Sequence, residues 1–138
     1  MKIALCDSMV FTDKMITVKA ALDKSGHFCE ISPRARLYAN KTAEQIEALA
    51  LKDKFENDAI REYLHIIKEC DAVLVLNYDN HGIKNYVGGN TLIEIGFAHY
   101  WKKKIFLLNQ MPDTPYCRSE IEAMMPAILN GDLDNFNF

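Results

Sequence analysis

The stretch from Asp71 to Leu108 constrains the fold more than any other part of the chain. Asp71-Ala-Val-Leu-Val-Leu-Asn77 is a short apolar run with the length and composition of a buried strand. A polar loop, Tyr78 to Gly89, follows it, and the chain restarts as a helix at Asn90-Thr-Leu-Ile-Glu94-Ile-Gly96-Phe-Ala98. Lys102 to Lys104 then lead into a second apolar run, Ile105 to Leu108. Strand, loop, helix, strand is a βαβ unit, and in sheets built from such units ligands bind beyond the carboxyl ends of the strands. Glu94 is expected there, in the first helical turn after Gly88-Gly89, which makes its carboxylate a candidate for chemistry.

The flanking sequence repeats the alternation. Lys2 to Cys6 suits a first strand, and Phe11, Met15, Val18 and Leu22 recur at helical spacing before a Ser25-Gly26 stop. Phe28 to Ile31 is a weaker second strand, and Pro33 to Lys41 reads as a loop. Thr42 and Gln45 form a capping-box pattern ahead of Ile46, Leu49 and Ala50. Asp58 can start a further helix whose apolar face is Ile60, Tyr63, Leu64 and Ile67. Ser119 and Glu122 suggest a short helix ended by Pro126, and Ala127 to Leu129 a fifth, edge strand. Strands alternating with helices predict a single α/β domain over residues 1–138. We expect a Rossmann- or flavodoxin-like sandwich, with a parallel sheet of about five strands and helices on both faces.

Bulk properties exclude several function classes. A chain of 138 residues buries roughly 68% of its unfolded surface without staples. The net charge of −3 gives no reason to expect a nucleic-acid polymer or an acidic membrane as partner. No apolar run approaches the ~20 residues of a membrane span, and the chain enters a strand directly, so no signal peptide is expected. Cys6, Cys29, Cys70 and Cys117 lack CxxC spacing and read as buried thiols of a reducing cytoplasm. The four histidines are equally scattered, so neither a metal nor a cofactor is expected.

Two readings stay open for Glu94. Thr91-x-x-Glu94 fits a capping box, in which Glu94 would only accept from the backbone. Alternatively, Gly88 and Gly89 let the backbone approach a ligand, and Gly96 leaves space along the helix. Asn77, Asp79, Asn80, Asn85 and Tyr86 could then line a pocket, and Glu94 could act as nucleophile on a sugar carbon. Tyr63 reads either as core or as a hydroxyl reaching that pocket. Asp79 reads either as a turn former or as the general acid for a leaving group. Arg34 and Arg36 are the cations best placed for a phosphate, and Lys102 to Lys104 complement the helix dipole. Asp7 beside Ser8 would repel a phosphate bound in that turn by about 4 kcal/mol at ~4 Å, so an unphosphorylated sugar is favoured. Phe136 and Phe138 on a polar tail suggest docking elsewhere, and with it a homo-oligomer.

Gly89-Asn-Thr-Leu-Ile-Glu94-Ile-Gly96-Phe-Ala98, followed by Lys103-Lys104-Ile105, resembles the nucleoside 2-deoxyribosyltransferase superfamily, which includes deoxynucleoside 5′-monophosphate N-glycosidases. Lys2-Ile-Ala-Leu-Cys6-Asp7-Ser8 resembles that family's opening strand and its sugar- or phosphate-contacting turn. The resemblance implies one such domain over 1–138, a nucleophilic Glu94 that attacks C1′ and displaces the base, and a homodimer or higher homo-oligomer. It also implies a small-molecule nucleoside or nucleotide substrate. Glu94 and Asp79 are the catalytic candidates, with Asp79 or Asp7 able to stand in for the family's missing carboxylates. Cys6, Asp7, Ser8, Asn77, Gly88, Gly89, Asn90 and Tyr63 are the substrate-binding candidates. The sequence departs from the family at three positions: Gly88 and Tyr63 stand where carboxylates are usual, and Asp7 stands where glycine often precedes the serine. Two alternatives remain. One is a nucleotide-binding module that kept the fold and lost the acid. The other is a phosphoribohydrolase of the cytokinin-activating type, whose Gly-Gly-x-Gly-Thr-x-x-Glu loop Gly88 to Glu94 resembles but for one residue.

Overall fold

The computed structural model describes residues 1–136. Five parallel strands form one sheet: β1 (Lys2–Cys6), β2 (Phe28–Glu30), β3 (Ala72–Val75), β4 (Lys104–Leu107) and β5 (Ala127–Ile128), in the order β2-β1-β3-β4-β5. The register pairs Cys6 with Val75 and Val75 with Leu107, so the carboxyl ends of β1, β3 and β4 are level. Helices α1 (Thr12–Lys24), α2 (Ala35–Tyr38), α3 (Ala43–Glu56), α4 (Ala59–Lys68), α5 (Gly89–Tyr100) and α6 (Arg118–Ala123) connect them. This is the expected α/β sandwich, with the strand order of a flavodoxin-like sheet.

Strand alternation divides the core in two. Ala4, Cys6, Val73, Val75, Ile105 and Leu107 face α4, α5 and α6 through Tyr63, Ile67, Ile95, Ala98 and Ile121. Ile3, Leu5, Leu74, Leu76, Phe106 and Leu108 face α1 through Met15, Val18 and Leu22. Both faces are covered, which is why every residue of β3 is apolar and buried.

Two local expectations change. The segment 33–41 is not wholly loop: α2 occupies Ala35–Tyr38, where Ala35 and Tyr38 are buried. Asp58 sits at the N-cap of α4 but in a left-handed conformation, and it makes no side-chain cap. Its carboxylate pairs with Arg61 at 2.9 Å instead. The Thr42 capping box forms as read, with Thr42 Oγ1 accepting from Gln45 N–H at 3.2 Å and Gln45 Oε1 accepting from Thr42 N–H at 3.0 Å. It starts a helix that packs on α4 and on the 3-10 turn Met9–Phe11. Helix α3 therefore stands as a wall over the carboxyl edge of β1. Phe136 docks within its own chain, 4.5 Å from Phe106 between ring centroids and 6% exposed. That removes it as an argument for an oligomer, and Phe138 lies outside the described residues.

Candidate active site

In this strand order the direction of winding reverses between β1 and β3, and a crevice opens beyond their carboxyl ends. The turn after β1 brings Asp7 and Ser8 to it, and α5 brings Gly88 to Glu94. Helix α5 starts earlier than its sequence suggests: Gly88 is the N-cap and makes no side-chain cap. Thr91 is therefore inside the helix, and Glu94 is its sixth residue, in the second turn. The Thr91–Glu94 capping box does not form. Glu94 is 5% exposed. Its Oε1 accepts from Asn90 Nδ2 at 3.3 Å, and Oε2 has no hydrogen-bond partner among the described residues. Excluding that carboxylate from capping leaves it free for a ligand.

Glu94 lines a narrow cavity of about 60 Å³, together with Leu5, Asp7, Arg34, Asp53, Tyr63 and Asn90. A larger lobe of about 360 Å³ adjoins it, lined by Ser8, Ile46, Asn80, His81, Tyr86, Gly88, Gly89 and Thr91. Asp7, Met9, Ala50, Lys54 and Asn90 line both. The larger lobe is within the size range of small-molecule sites. Its wall carries the edge-on pair of His81 and Tyr86, with ring centroids 5.2 Å apart. A Cβ at Gly88 would lie 3.2 Å from Tyr86 Cε1, so glycine there lets the Tyr86 ring close over the start of α5. A Cβ at Gly89 or Gly96 would meet nothing within 4 Å. A third groove, about 460 Å³, lies at the opposite end of the sheet between Lys102 to Lys104, Met124 and Met125 and holds no carboxylate.

The site is electrostatically unusual because Glu94 and Asp7 are buried without an ion-pair partner among the described residues. Burial pushes Glu94 up to about 8, a rise the neighbouring Cys6 thiol slightly offsets. Burial likewise pushes Asp7 up to about 8. The Ser8 amide opposes that rise, the nearby Glu94 adds to it, and Lys14 opposes it. Asp7 Oδ1 accepts from Ser8 N–H at 2.7 Å, while Oδ2 is buried without a partner. Asn90 Oδ1 is a third buried acceptor left without a partner. The one arginine in the wall is already engaged. Arg34 forks onto Glu62 with both contacts at 3.2 Å and lies 3.8 Å from Asp53. Burial acts to raise Asp53, but hydrogen bonds from Tyr38 and Asn57 outweigh it and keep the carboxyl below its ordinary value.

Asp7, Ser8, Gly88, Gly89, Asn90, Tyr63 and Glu94 are thus brought together. Tyr63 lines the cavity with its ring and packs in the core, while its hydroxyl donates to the carbonyl of Leu5 and, at 3.3 Å, to that of Glu30. Cys6 lies behind Glu94, fully buried, and lines neither cavity; burial first, then Glu94, raise its thiol. Asn77 and Asp79 line neither cavity. Asn77 ties β3 to the loop after β4, accepting from Asn109 N–H at 2.9 Å and donating to the Gln110 carbonyl at 2.8 Å. Asp79 is exposed and accepts from Asn85 N–H at 2.8 Å, which closes its own loop. Arg36 is exposed and outside both lobes. Sequence reasoning missed the α3 contribution, Ala50 and Lys54. These residues signal nothing alone, and only the packing of α3 over the turn Met9–Phe11 brings them to the crevice.

No protein-family model matches this sequence, and no curated protein matches it at a significant level. Among solved structures, the chain is similar to the CMP N-glycosidase BcmB of Clostridium botulinum, with a TM-score of 0.54 and 18% identity. The likeness covers 93% of this chain and 85% of that one. At that identity it establishes a shared fold.

Proposed function

We propose that this protein cleaves or transfers the N-glycosidic bond of a (deoxy)nucleoside or its 5′-monophosphate, with Glu94 as nucleophile. The observation that carries this reading is the Glu94 carboxylate itself. It is buried at the sheet's switch point, lines a cavity, and has one oxygen without a partner. Burying a carboxylate in that way costs stability, a cost concentrated at functional sites. The likeness to an N-glycosidase supports the reaction class. Attack on C1′ would form a glycosyl ester, which water or a second base then resolves.

The substrate reading inclines to an unphosphorylated nucleoside. A 5′-phosphate needs donors, and two of the candidates are engaged, the Ser8 amide by Asp7 and Arg34 by Glu62. The test is a panel of deoxynucleosides, ribonucleosides and their 5′-monophosphates, followed for free base. Wild type should release base from at least one of them, most readily from an unphosphorylated member. Glu94→Gln should lose at least about 10³-fold. A folded Glu94→Gln protein with full activity would reduce Glu94 to a structural residue. Gly88 and Tyr63, standing where the family carries carboxylates, favour a second reading, a binding module without turnover. Ligand binding with no release of base across the panel would select it.

A further inference from the structure

Breaking a C1′–N bond leaves an electron pair on the base, and a nucleobase departs poorly unless it is protonated. Two candidates for that proton are otherwise engaged: Asp79 closes its own loop, and the Tyr63 hydroxyl donates to two backbone carbonyls. Asp7 is differently placed. It lines both the narrow lobe that holds Glu94 and the larger lobe beside it. Its Oδ1 is fixed by the Ser8 amide, which leaves the buried Oδ2 without a partner among the described residues and free to engage a ligand.

We propose that Asp7 is the general acid of this site, its Oδ2 hydroxyl protonating the departing base as Glu94 attacks C1′. This rests on the reading of Glu94 as nucleophile. The step balances. A Glu94 oxygen forms the bond to C1′, the C1′–N pair passes to the base, and the proton moves from Asp7 to the base. In the second half, the Asp7 carboxylate takes a proton from water or an acceptor base. The lone pair of that nucleophile bonds to C1′, and Glu94 leaves as a carboxylate.

The groups facing Asp7 set its proton. Glu94 on α5 and burial both favour the neutral acid, whereas the Ser8 amide and Lys14 on α1 oppose it. Tyr78, beyond β3, is near enough for Asp7 to raise its own titration, after burial. Cys6 on β1 is held neutral. Two interacting buried carboxylates titrate as a pair and keep at least one proton at neutral pH. The reactive form is the one-proton state of the pair, in which Glu94 is ionised to attack and Asp7 keeps the proton it donates.

The experiment compares two substrates: a deoxynucleoside, whose base needs a proton, and 4-nitrophenyl 2-deoxyriboside, whose phenolate leaves without one. Asp7→Asn keeps an acceptor for the Ser8 amide. It should slow base release by about 10² to 10³-fold and leave nitrophenolate release within a few-fold. Wild type itself should show an alkaline limb for the deoxynucleoside that is missing for the nitrophenyl substrate, which tests the idea even where the variant does not fold. Equal loss on both substrates, no loss on either, or the same alkaline limb for both would overturn the assignment to Asp7. Failure of the nucleophile reading is distinct: Glu94→Gln would then keep both activities, or wild type would cleave neither substrate.

Discussion

Glu94 and Asp7 are each held in a state their side chains resist. An ordinary carboxylate releases its proton near pH 4, but burial pushes both up to about 8. The folded state therefore binds more protons than the unfolded chain between about pH 4.5 and 8. Stability is highest at the acidic end of that window, falls as pH rises through it, and levels off above the folded value, by up to ~1.4 kcal/mol per unit and group. Glu94→Gln removes one of the two groups. It should match wild type near pH 4.5 and exceed it at pH 8 by on the order of 2 to 4 kcal/mol, at about 4 °C of Tm per kcal/mol. Thermal melts of the two proteins at both pH values check this. A variant that melts lower than wild type at pH 8 would mean that the charge is stabilised in the fold. The same residues mark where local sequence stops being informative. Glu94 was legible as a candidate from its helix and glycines, but its capping alternative fell only because α5 begins at Gly89.

At the scale of elements, the site is a junction of β1, α3, α4 and α5. The β1 turn supplies Asp7, the start of α5 supplies Asn90 and Glu94, and α3 closes the outside with Ala50 and Lys54. Helix α4 is locked to the sheet by Tyr63, whose hydroxyl joins the carbonyls of Leu5 on β1 and Glu30 on β2. Tyr63→Phe keeps the ring in the cavity wall and deletes that donor. The expected outcome is a loss of about 1 to 2 kcal/mol in chemical denaturation, with kcat within a few-fold of wild type. A large fall in kcat at unchanged stability would instead give the hydroxyl a role toward substrate. The helical face Ile60, Tyr63, Leu64 and Ile67 was readable from spacing alone. That Tyr63 reaches across to two strands was not, because sequence period fixes a face and not its partner.

For the whole molecule, two covered sheet faces leave the tail little freedom. Phe136 closes the α1 face against Phe106 and stands edge-on to His27 at 5.2 Å. Phe136→Ala should cost about 3 kcal/mol as a core truncation and leave the subunit count unchanged. Denaturation curves and light scattering at micromolar concentration read the two quantities separately. A change in mass would return the tail to an intermolecular role. No helix among the described residues is long and apolar enough to cross a membrane.

The sequence by itself determined the fold class. The three central strand runs of four or five apolar residues, helical periodicities and the Thr42 box are local signals, and the alternation of strands and helices leaves few topologies for a sheet covered on both faces. It also determined that a carboxylate follows the Gly88-Gly89 turn. The tertiary structure decided which polar residues share a cavity. Asn77, Asp79 and Asp7 all follow strand ends and look alike in sequence, yet only Asp7 is turned into the crevice with an oxygen left free. Burial and the absence of a partner are properties of packing between segments distant in the chain. The elevated proton affinity of Asp7 and Glu94 arises only when β1, α3, α4 and α5 close around them.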